Sequence, residues 1–238
     1  MIITTQVTED YYPKALLLWE SVKKYWPGRF VLGCIGFDPE GYNGEWFRCE
    51  LSDIKSYRTD WPKNRQGYVS MQNGEFIEWI KCNEDDIIIQ IDADAIMQRP
   101  MTDKEINHLK IKAELYDIMS VHSSNPPTNL SDVLINLGGK EDKRWTLERE
   151  FTASFLIAKP KMFRSLMGEY IYQFDSMTRL TNHHAGTQWL TNICCTLGSV
   201  YILDPIFQCA SWYNTFDTTV EDGVLKYKGE TVLFNHTK

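Results

Sequence analysis

The sequence has no long uninterrupted apolar run and no excess of basic residues. No stretch approaches the roughly 18–20 apolar residues of a membrane-spanning helix, so we expect no stable insertion into a membrane. The chain carries 25 Lys and Arg residues against 32 Asp and Glu residues, a formal charge of -7. Proteins that bind duplex DNA through its phosphates carry a basic face, so the overall charge disfavours that role.

Cysteine-based metal motifs and an export signal are also absent. The six cysteines form no CxxC pair and show no Cys/His spacing typical of a zinc site. The N-terminus lacks the basic head and the long apolar core of a signal peptide. We therefore expect a cytoplasmic protein with reduced thiols, because disulfides persist only in oxidising compartments.

What is present is an ordinary globular composition, with strands and helices alternating along the chain. Hydrophobic residues make up 43% and charged residues 24% of the 238 residues, which is typical of one large domain. We find no internal repeat, low-complexity tract or linker. The sequence therefore predicts one α/β domain, 1–238, with a mixed central sheet flanked by helices.

Apolar periodicity and turn residues give the approximate positions of the elements. The predicted strands are 2–7, 30–37, 86–92, 116–121, 151–158, 224–227 and 231–234. The predicted helices are one that ends at Pro27-Gly28, 68–80, one that begins at Pro160, and 185–197. The polar segment between the fourth and fifth strands, 123–150, is longer than an ordinary connection, so we expect a lid or small additional elements there.

The clearest chemical signal is the triplet Asp92-Ala93-Asp94, which directly follows an apolar strand. In extended backbone, residues two apart project to the same side, so the two carboxylates converge. Like charges this close repel unless a cation lies between them, and Mn²⁺ or Mg²⁺ suits an oxygen-ligand pair. The free coordination positions of such an ion can take diphosphate oxygens, and open α/β sheets bind ligands at the carboxyl ends of strands.

The triplet also has a simpler interpretation as an acidic turn, because Asp is common where strands end. An EF-hand does not fit, because Met97 stands where that loop requires Gly. The apolar runs on both sides of the triplet favour a buried strand end, and with it the metal site.

The sequence around the triplet resembles a known family. The phrase Ile91–Ile96, after an opening strand and a helix ending in Ser21–Pro27, is similar to the GT-A fold nucleotide-sugar glycosyltransferases. It is most similar to glycosyltransferase family 8, the galactosyltransferase and glycogenin type. The resemblance implies that Asp92 and Asp94 hold Mn²⁺ against the diphosphate of a sugar nucleotide.

Three later segments match the family in the same order, so the resemblance covers nearly the whole chain. Phe151–Ile157 resembles the Phe-Asn-Ala-Gly strand beside the donor sugar, and Thr187–Asn192 resembles the Asp-Gln helix start next to the reacting carbon. Leu203–Pro205 followed by Leu233–His236 resembles the closing segment, whose histidine is the third metal ligand. The donor-binding residues implied by the resemblance are Thr4, Thr5, Gln6, Ala93, Thr152, Ala153 and Ser154. It further implies a nucleotide-binding half, 1–98, and an acceptor-binding half, 99–238.

Some positions depart from the family pattern. Thr152 and Ser154 stand where the family has Asn and Gly, and Thr187 stands where it has Asp. The family's phosphate-binding lysine follows the histidine after a Gly-containing spacer, whereas Lys238 comes two residues after His236. Either Lys238 or an upstream basic residue is therefore expected to bind the phosphates. The upstream candidates are Arg58, Lys63 and Arg65.

The resemblance places Gln188 at the reacting carbon. An amide has no ionisable group near neutral pH and cannot act as a general base, but its dipole can stabilise an oxocarbenium-like transition state. This suits a retaining transfer in which the leaving phosphate accepts the acceptor's proton, with Asp94 in the catalytic centre through the metal. An inverting enzyme would instead need a carboxylate base. The candidates for that base are Glu148, Glu150 and Asp204.

The sequence thus predicts a metal-dependent glycosyltransferase that uses a nucleotide-diphosphate sugar, with UDP favoured by the family comparison. The acceptor stays open among a glycan, a lipid, a protein and a modified nucleobase, and so does the oligomeric state. A sugar nucleotidyltransferase is one alternative, although the Gly-rich, Arg-bearing loop expected near its N-terminus is missing. A non-catalytic nucleotide-sugar-binding module is another, and the altered family positions motivate it.

Overall fold

The computed structural model describes residues 1–54, 74–122, 151–168, 198–210 and 216–237. Within these ranges the chain forms a seven-stranded sheet, two three-stranded sheets and the helices that pack on them. No helix in the described ranges is both long and apolar enough to cross a membrane. The predictions for the lid segment 123–150 and the helix 185–197 lie outside the described residues.

The N-terminal part of the sheet forms as its apolar pattern predicts. Strand β1 (Ile2–Thr8) is buried on both faces, and helix α1 (Tyr12–Tyr25) follows it. Helix α1 ends at Tyr25, and the next residue, Trp26, has the extended backbone that a following proline favours. Strands β2 (Arg29–Ile35) and β3 (Glu45–Cys49) complete this part, each pairing in parallel with the preceding strand.

The remaining elements continue the alternation towards the C-terminus. They are β4 (Ile88–Ile91), β5 (Ala95–Met97), α2 (Asp103–Leu115), β6 (Ile118–Val121), β7 (Phe155–Ala158), the described part of helix α3 (160–168), β8 (Val200–Leu203), β9 (Gln208–Cys209), β10 (Thr218–Glu221), β11 (Val224–Tyr227), β12 (Glu230–Thr231) and β13 (Phe234–His236). Short 3-10 turns cover Glu9–Tyr11, Leu51–Asp53 and Glu75–Glu78.

The central sheet has the strand order β3-β2-β1-β4-β7-β6-β8. Strand β7 runs antiparallel to both of its neighbours, β4 and β6, while the other pairings are parallel. The predicted α/β class with a mixed central sheet is therefore confirmed. Because β4 and β8 run in the same direction, their carboxyl ends lie at the same edge of the sheet.

Successive residues of the central strands point to opposite faces, and each face has its own core. Helices α1 and α2 pack with Ile3 and Ile89 on one face. Phe76 and Phe163 pack with Ile88 on the other. Both faces of the sheet are thus covered, which leaves its carboxyl edge as the place where polar groups can gather.

Several local features differ from the sequence-based expectations, among them the following three. Helix α2 was not predicted, because only Leu109 and Ala113 of its residues are buried and its apolar stripe is weak. The described end of the predicted helix 68–80 is a 3-10 turn that follows Gly74, whose φ is 127°. The predicted strand 231–234 is interrupted, since β12 ends at Thr231 and β13 begins at Phe234.

Candidate metal and donor site

The two aspartates of the triplet lie in the turn that joins β4 to β5. The Asp92 amide donates to the Ser154 carbonyl at 3.0 Å, which ties the end of β4 to the residue before β7. The Ala95 amide donates to the Asp92 carbonyl at 3.2 Å and closes the turn. Both carboxylates are thereby held at the carboxyl edge of the sheet, as their position after an apolar strand predicts.

The C-terminal strand carries His236 to the same turn. Strand β13 pairs antiparallel with β5, and His236 lies opposite Ala95 in the register. The Thr237 amide and hydroxyl both donate to the Asp94 carbonyl, at 2.7 and 2.6 Å. The metal-site turn and the end of the chain are therefore joined through backbone and side chain alike.

Asp92, Asp94 and His236 together form a group that could hold a divalent cation. One ligand atom from each residue lies within 4.8 Å of the other two. His236 Nε2 and Asp94 Oδ1 are 3.0 Å apart, and their side chains are 16% and 19% exposed. Two carboxylate oxygens and one imidazole nitrogen suit Mn²⁺, so the predicted metal ligands are brought together and their chemistry fits the ion.

The ionisable groups of this cluster stabilise one another in their charged forms. Burial alone would raise the pKa of Asp94, but the hydrogen bond and charge of His236 and the Lys14 ammonium outweigh it and lower that pKa. Burial alone would lower the pKa of His236, but the hydrogen bond to Asp94 and the charges of Asp92 and Asp94 raise it. The negative potential that raises the histidine pKa is also what attracts a cation.

Lys14 of helix α1 belongs to the cluster, although sequence reasoning did not single it out. Its Nζ lies 3.4 Å from Asp94 Oδ2. Lys14, Leu18 and Ser21 are spaced along one helix face, and this spacing was the available sequence signal. In the structure that face is the packed one: Leu18 is fully buried, and Ser21 accepts a hydrogen bond from the Met97 amide. What the sequence could not show is that this face crosses β5 directly beside Asp94.

The predicted donor residues of β1 are buried within the sheet. Thr4, Thr5 and Gln6 have no exposed surface. The Thr4 hydroxyl donates to the Val31 carbonyl at 2.9 Å, and the Gln6 amide donates to that hydroxyl at 2.9 Å. Their contact with a donor remains a prediction.

The segment before β7 lies next to the metal turn, in keeping with its predicted place beside the donor. The hydroxyls of Thr152 and Ser154 are 2.7 Å apart, and the two residues are 4% and 8% exposed. The Ser154 amide also donates to the Thr152 hydroxyl at 3.2 Å, so the segment forms a tight loop around Ala153. The Ser154 carbonyl, which accepts the hydrogen bond from the Asp92 amide, links this segment directly to the candidate metal site.

Several predicted site residues lie outside the described residues. They are Gln188, Arg58, Lys63, Arg65, Lys238, Glu148 and Glu150. Asp204 is described: it follows β8, where its carboxylate accepts a hydrogen bond from the Ile206 amide at 2.9 Å. Since β8 is three strands from β4, Asp204 lies about 14 Å from the metal turn along the sheet edge.

Asp204 lines a separate groove of about 680 Å³ between α2, β8 and β12. Arg99, Thr102 and Glu105 line this groove and form a second cluster of charged and polar groups. The guanidinium of Arg99 donates to both carboxylate oxygens of Glu105, at 2.9 and 2.6 Å. The amide and hydroxyl of Thr102 also donate to Glu105, each at 2.8 Å, and complete a capping box at the start of α2.

The fold is similar to solved structures of sugar-transferring enzymes. A structure of the galactosyltransferase LgtC in complex with donor and acceptor sugar analogues has a TM-score of 0.67 and 11% identity, covering 99% of this chain and 86% of that one. An active-site mutant of LgtC has a TM-score of 0.67 and 12% identity over the same shares. Mouse xyloside xylosyltransferase 1, in its apo form, has a TM-score of 0.61 and 9% identity, covering 100% of this chain and 98% of that one.

Comparisons of the sequence itself give no further match. No protein-family model matches the chain, and no curated protein does. The GT-A fold predicted from the sequence is confirmed by the structural matches, which include glycosyltransferases of family 8 and extend over the whole chain. At this level of identity the likeness establishes the fold, and the chemistry has to be argued from the site.

Proposed function

We propose that this protein is a metal-dependent glycosyltransferase. It transfers a sugar from a nucleotide-diphosphate sugar, with UDP as the favoured nucleotide, to an acceptor and with retention at the anomeric carbon. The observation that carries the proposal is the convergence of Asp92, Asp94 and His236 at the carboxyl edge of a GT-A sheet. Of the structural relatives, LgtC is described as a galactosyltransferase with bound donor and acceptor analogues, which supports this reaction class.

Asp92, Asp94 and His236 would hold Mn²⁺ or Mg²⁺ in this enzyme. When bound, such an ion neutralises charge on the departing diphosphate, a contribution of several kcal/mol or on the order of a thousandfold in rate. The chain's own contribution is to fix the ligands beforehand. Ser154 positions Asp92, and Thr237 positions Asp94, so little reorganisation accompanies binding.

The remaining roles follow the sequence-based predictions. Gln188 is proposed to place its amide dipole beside the reacting carbon, while the leaving phosphate accepts the acceptor's proton. The segment Thr152–Ser154 is proposed to contact the donor sugar. We propose a cytoplasmic location, as the sequence leads us to expect. The acceptor classes named from the sequence all remain candidates.

Donor binding is the direct test of this function. Thermal unfolding should be followed with UDP-, GDP- and ADP-sugars, each with and without Mn²⁺. A donor at 100 times its dissociation constant should stabilise the wild type by about 2.7 kcal/mol, only when the metal is present. Asp92→Asn should abolish this stabilisation. Asp85→Asn makes the same charge change at an exposed position before the opposite end of β4 and should preserve it.

Activity assays beside the binding measurement separate the proposed function from its alternatives. Transfer of labelled sugar to any acceptor in a glycan, peptide and nucleic-acid panel supports the transferase. Release of pyrophosphate from a sugar phosphate and a nucleoside triphosphate would instead identify a sugar nucleotidyltransferase. Tight metal-dependent donor binding without turnover on the panel would favour a binding module, and no donor binding at all would refute the proposal.

A further inference from the structure

Helix α1 places a cation, Lys14, beside the predicted metal ligands. Lys14 Nζ lies 3.4 Å from Asp94 Oδ2, on the opposite carboxylate oxygen from His236 Nε2. Among the residues that the structure describes, Lys14 is the basic side chain with a salt bridge to the predicted metal ligands. The charge of Lys14 therefore acts on the Asp94 carboxylate, which a bound metal ion would also use.

Helix packing fixes the position of Lys14 at this point. Leu18, one turn further on, is fully buried, and Ser21, two turns further on, accepts a hydrogen bond from the Met97 amide at 3.0 Å. These three residues lie on one face of α1, since positions i, i+4 and i+7 align. The face is anchored to β5, and Lys14 projects from its first turn over the turn that contains Asp94.

The pairing of Lys14 with Asp94 is loose enough to be displaced. Its 3.4 Å separation exceeds the 2.7–2.9 Å of a strong charged hydrogen bond, and the lysine side chain is 40% exposed. An ion pair with a long separation and a half-exposed lysine contributes little stability. The ammonium also lies 5.2 Å from the Tyr11 ring centroid, which offers it a second favourable environment on the same side of the site.

We propose that Lys14 has two successive partners: Asp94 in the ligand-free protein and the donor's diphosphate in the loaded protein. This rests on the proposed function, which supplies the metal and the diphosphate. A divalent ion held by Asp92, Asp94 and His236 repels the lysine ammonium, so the two compete for Asp94. A diphosphate beside that ion gives the displaced ammonium a new counter-charge, which a flexible point charge such as lysine can follow.

Lys14 thus supplies the phosphate contact that the family pattern leads one to expect near the C-terminus. The lysine also has a second effect, since its charge opposes metal binding as long as no diphosphate is present. Lys14 thereby makes the binding of metal and donor cooperative. Removing its charge must change the two affinities in opposite directions, which no purely structural role would do.

The experiment compares Lys14→Met, Lys14→Arg and the matched control Lys24→Met. Lys24 lies on the same helix and rests over the Tyr25 ring at 4.6 Å, so the control removes the same charge from a similar setting. Mn²⁺ binding to the protein alone is measured by electron paramagnetic resonance of free Mn²⁺. Binding of UDP, GDP, ADP and inorganic pyrophosphate at saturating Mn²⁺ is measured by calorimetry.

Lys14→Met should bind Mn²⁺ alone about 3- to 5-fold more tightly, as expected from loss of a weak competing ion pair. It should bind the preferred diphosphate at least about 10-fold more weakly, as expected from loss of a charged hydrogen bond. Lys14→Arg should behave like the wild type in Mn²⁺ binding and retain most of the diphosphate affinity. Lys24→Met should change neither affinity.

Two results would overturn the proposal. If wild type and Lys14→Met have equal affinities for Mn²⁺ and for the diphosphate, Lys14 is not part of the binding site, and the glycosyltransferase proposal stands without it. If Lys14→Met weakens both affinities, the lysine supports the site rather than competing with the metal. Failure of every variant and the wild type to bind Mn²⁺ would refute the proposed function itself.

Discussion

Two carboxylates on either side of β5 are buried to almost the same degree but are bonded very differently. The side chain of Glu105 is 16% exposed and that of Asp94 is 19% exposed. Glu105 accepts four hydrogen bonds from Arg99 and Thr102, all between 2.6 and 2.9 Å. This nearly exhausts the acceptor capacity of a carboxylate, which has about four lone-pair sites.

Asp94 has fewer and longer contacts. His236 approaches one of its oxygens at 3.0 Å and Lys14 the other at 3.4 Å. Its backbone carbonyl, by contrast, is held firmly by Thr237. The main chain of Asp94 is fixed while part of the bonding capacity of its side chain remains available, which is the arrangement expected of a group kept for a ligand.

The comparison shows how burial and function can be separated. A buried charge must be compensated, and at Glu105 the protein itself supplies the whole compensation. At Asp94 the compensation is partial, so an added cation is favourable. Equal burial therefore accompanies helix capping at one position and spare bonding capacity at the other, and substitutions at the two sites should have different consequences.

The largest expected effect is the loss of activity in Asp94→Asn. Removing a metal-binding charge should lower sugar transfer by on the order of a thousandfold and weaken Mn²⁺ binding strongly. Glu105→Gln is the matched control, because it neutralises a carboxylate of similar burial and should leave Mn²⁺ affinity within about twofold. Titration of both variants with Mn²⁺ checks the prediction, and equal losses of affinity would contradict the division of roles.

For the free energy of unfolding, the partners of Glu105 should matter more than those of Asp94. Arg99→Met should lower the free energy of unfolding by about 2 kcal/mol, because it leaves the partly buried Glu105 carboxylate without its main partner. Lys14→Met should change it by less than about 0.5 kcal/mol. Urea unfolding of the metal-free proteins measures both values. A Lys14→Met protein as unstable as Arg99→Met would show that the Asp94 pair is structural after all.

The Glu105 cluster should also show a specific pH dependence. Burial alone would raise the pKa of Glu105, but the hydrogen bonds from Arg99 and Thr102 outweigh it and lower the pKa from 4.5. A lowered pKa in the folded state stabilises the protein above the unfolded-state pKa, and this contribution is lost as pH falls through the folded value. The stability difference between wild type and Glu105→Gln should therefore be constant near neutral pH and shrink below about pH 4.5, as urea unfolding at several pH values can show.

The smallest effect is expected where the carboxylate is exposed. Glu84 pairs with Arg164 at 2.9 Å, with side chains 65% and 44% exposed. Glu84→Gln should leave the free energy of unfolding nearly unchanged, since solvent screens such pairs. Urea unfolding in low and high salt checks this. A larger change that does not depend on salt would contradict the view that exposure and hydrogen bonding decide how much Glu105, Asp94 and Glu84 contribute to stability.

The two aspartates of the candidate metal site were predictable because they depend on a local pattern. An apolar strand followed by Asp92-Ala93-Asp94 fixes both the position and the direction of two carboxylates through the alternation of a strand. His236 required the family resemblance, since nothing in its neighbours indicates that β13 pairs with β5. The register that places it opposite Ala95 is a long-range property of the fold.

Lys14 and Glu105 show what the sequence left out. The contact of Lys14 with Asp94 depends on which strand α1 crosses, and helix periodicity gives the buried face but not its partner. Helix α2 has few buried residues, so hydrophobic periodicity did not indicate it. Its capping box, Thr102 with Glu105 three residues later, was the available signal, because that pattern marks helix starts independently of apolar spacing.

The clasp between Thr237 and the metal-site turn spans 143 residues. Synthesis proceeds from the N-terminus, so all seven strands of the central sheet can leave the ribosome before His236, the last of the proposed metal ligands, does. Ion capture would then follow formation of the sheet, because before β13 emerges the chain carries two acidic ligands without their imidazole. In the finished protein a bound ion would act as a cross-link between distant parts of the chain, and a chelator should loosen the C-terminal strand before the sheet itself opens.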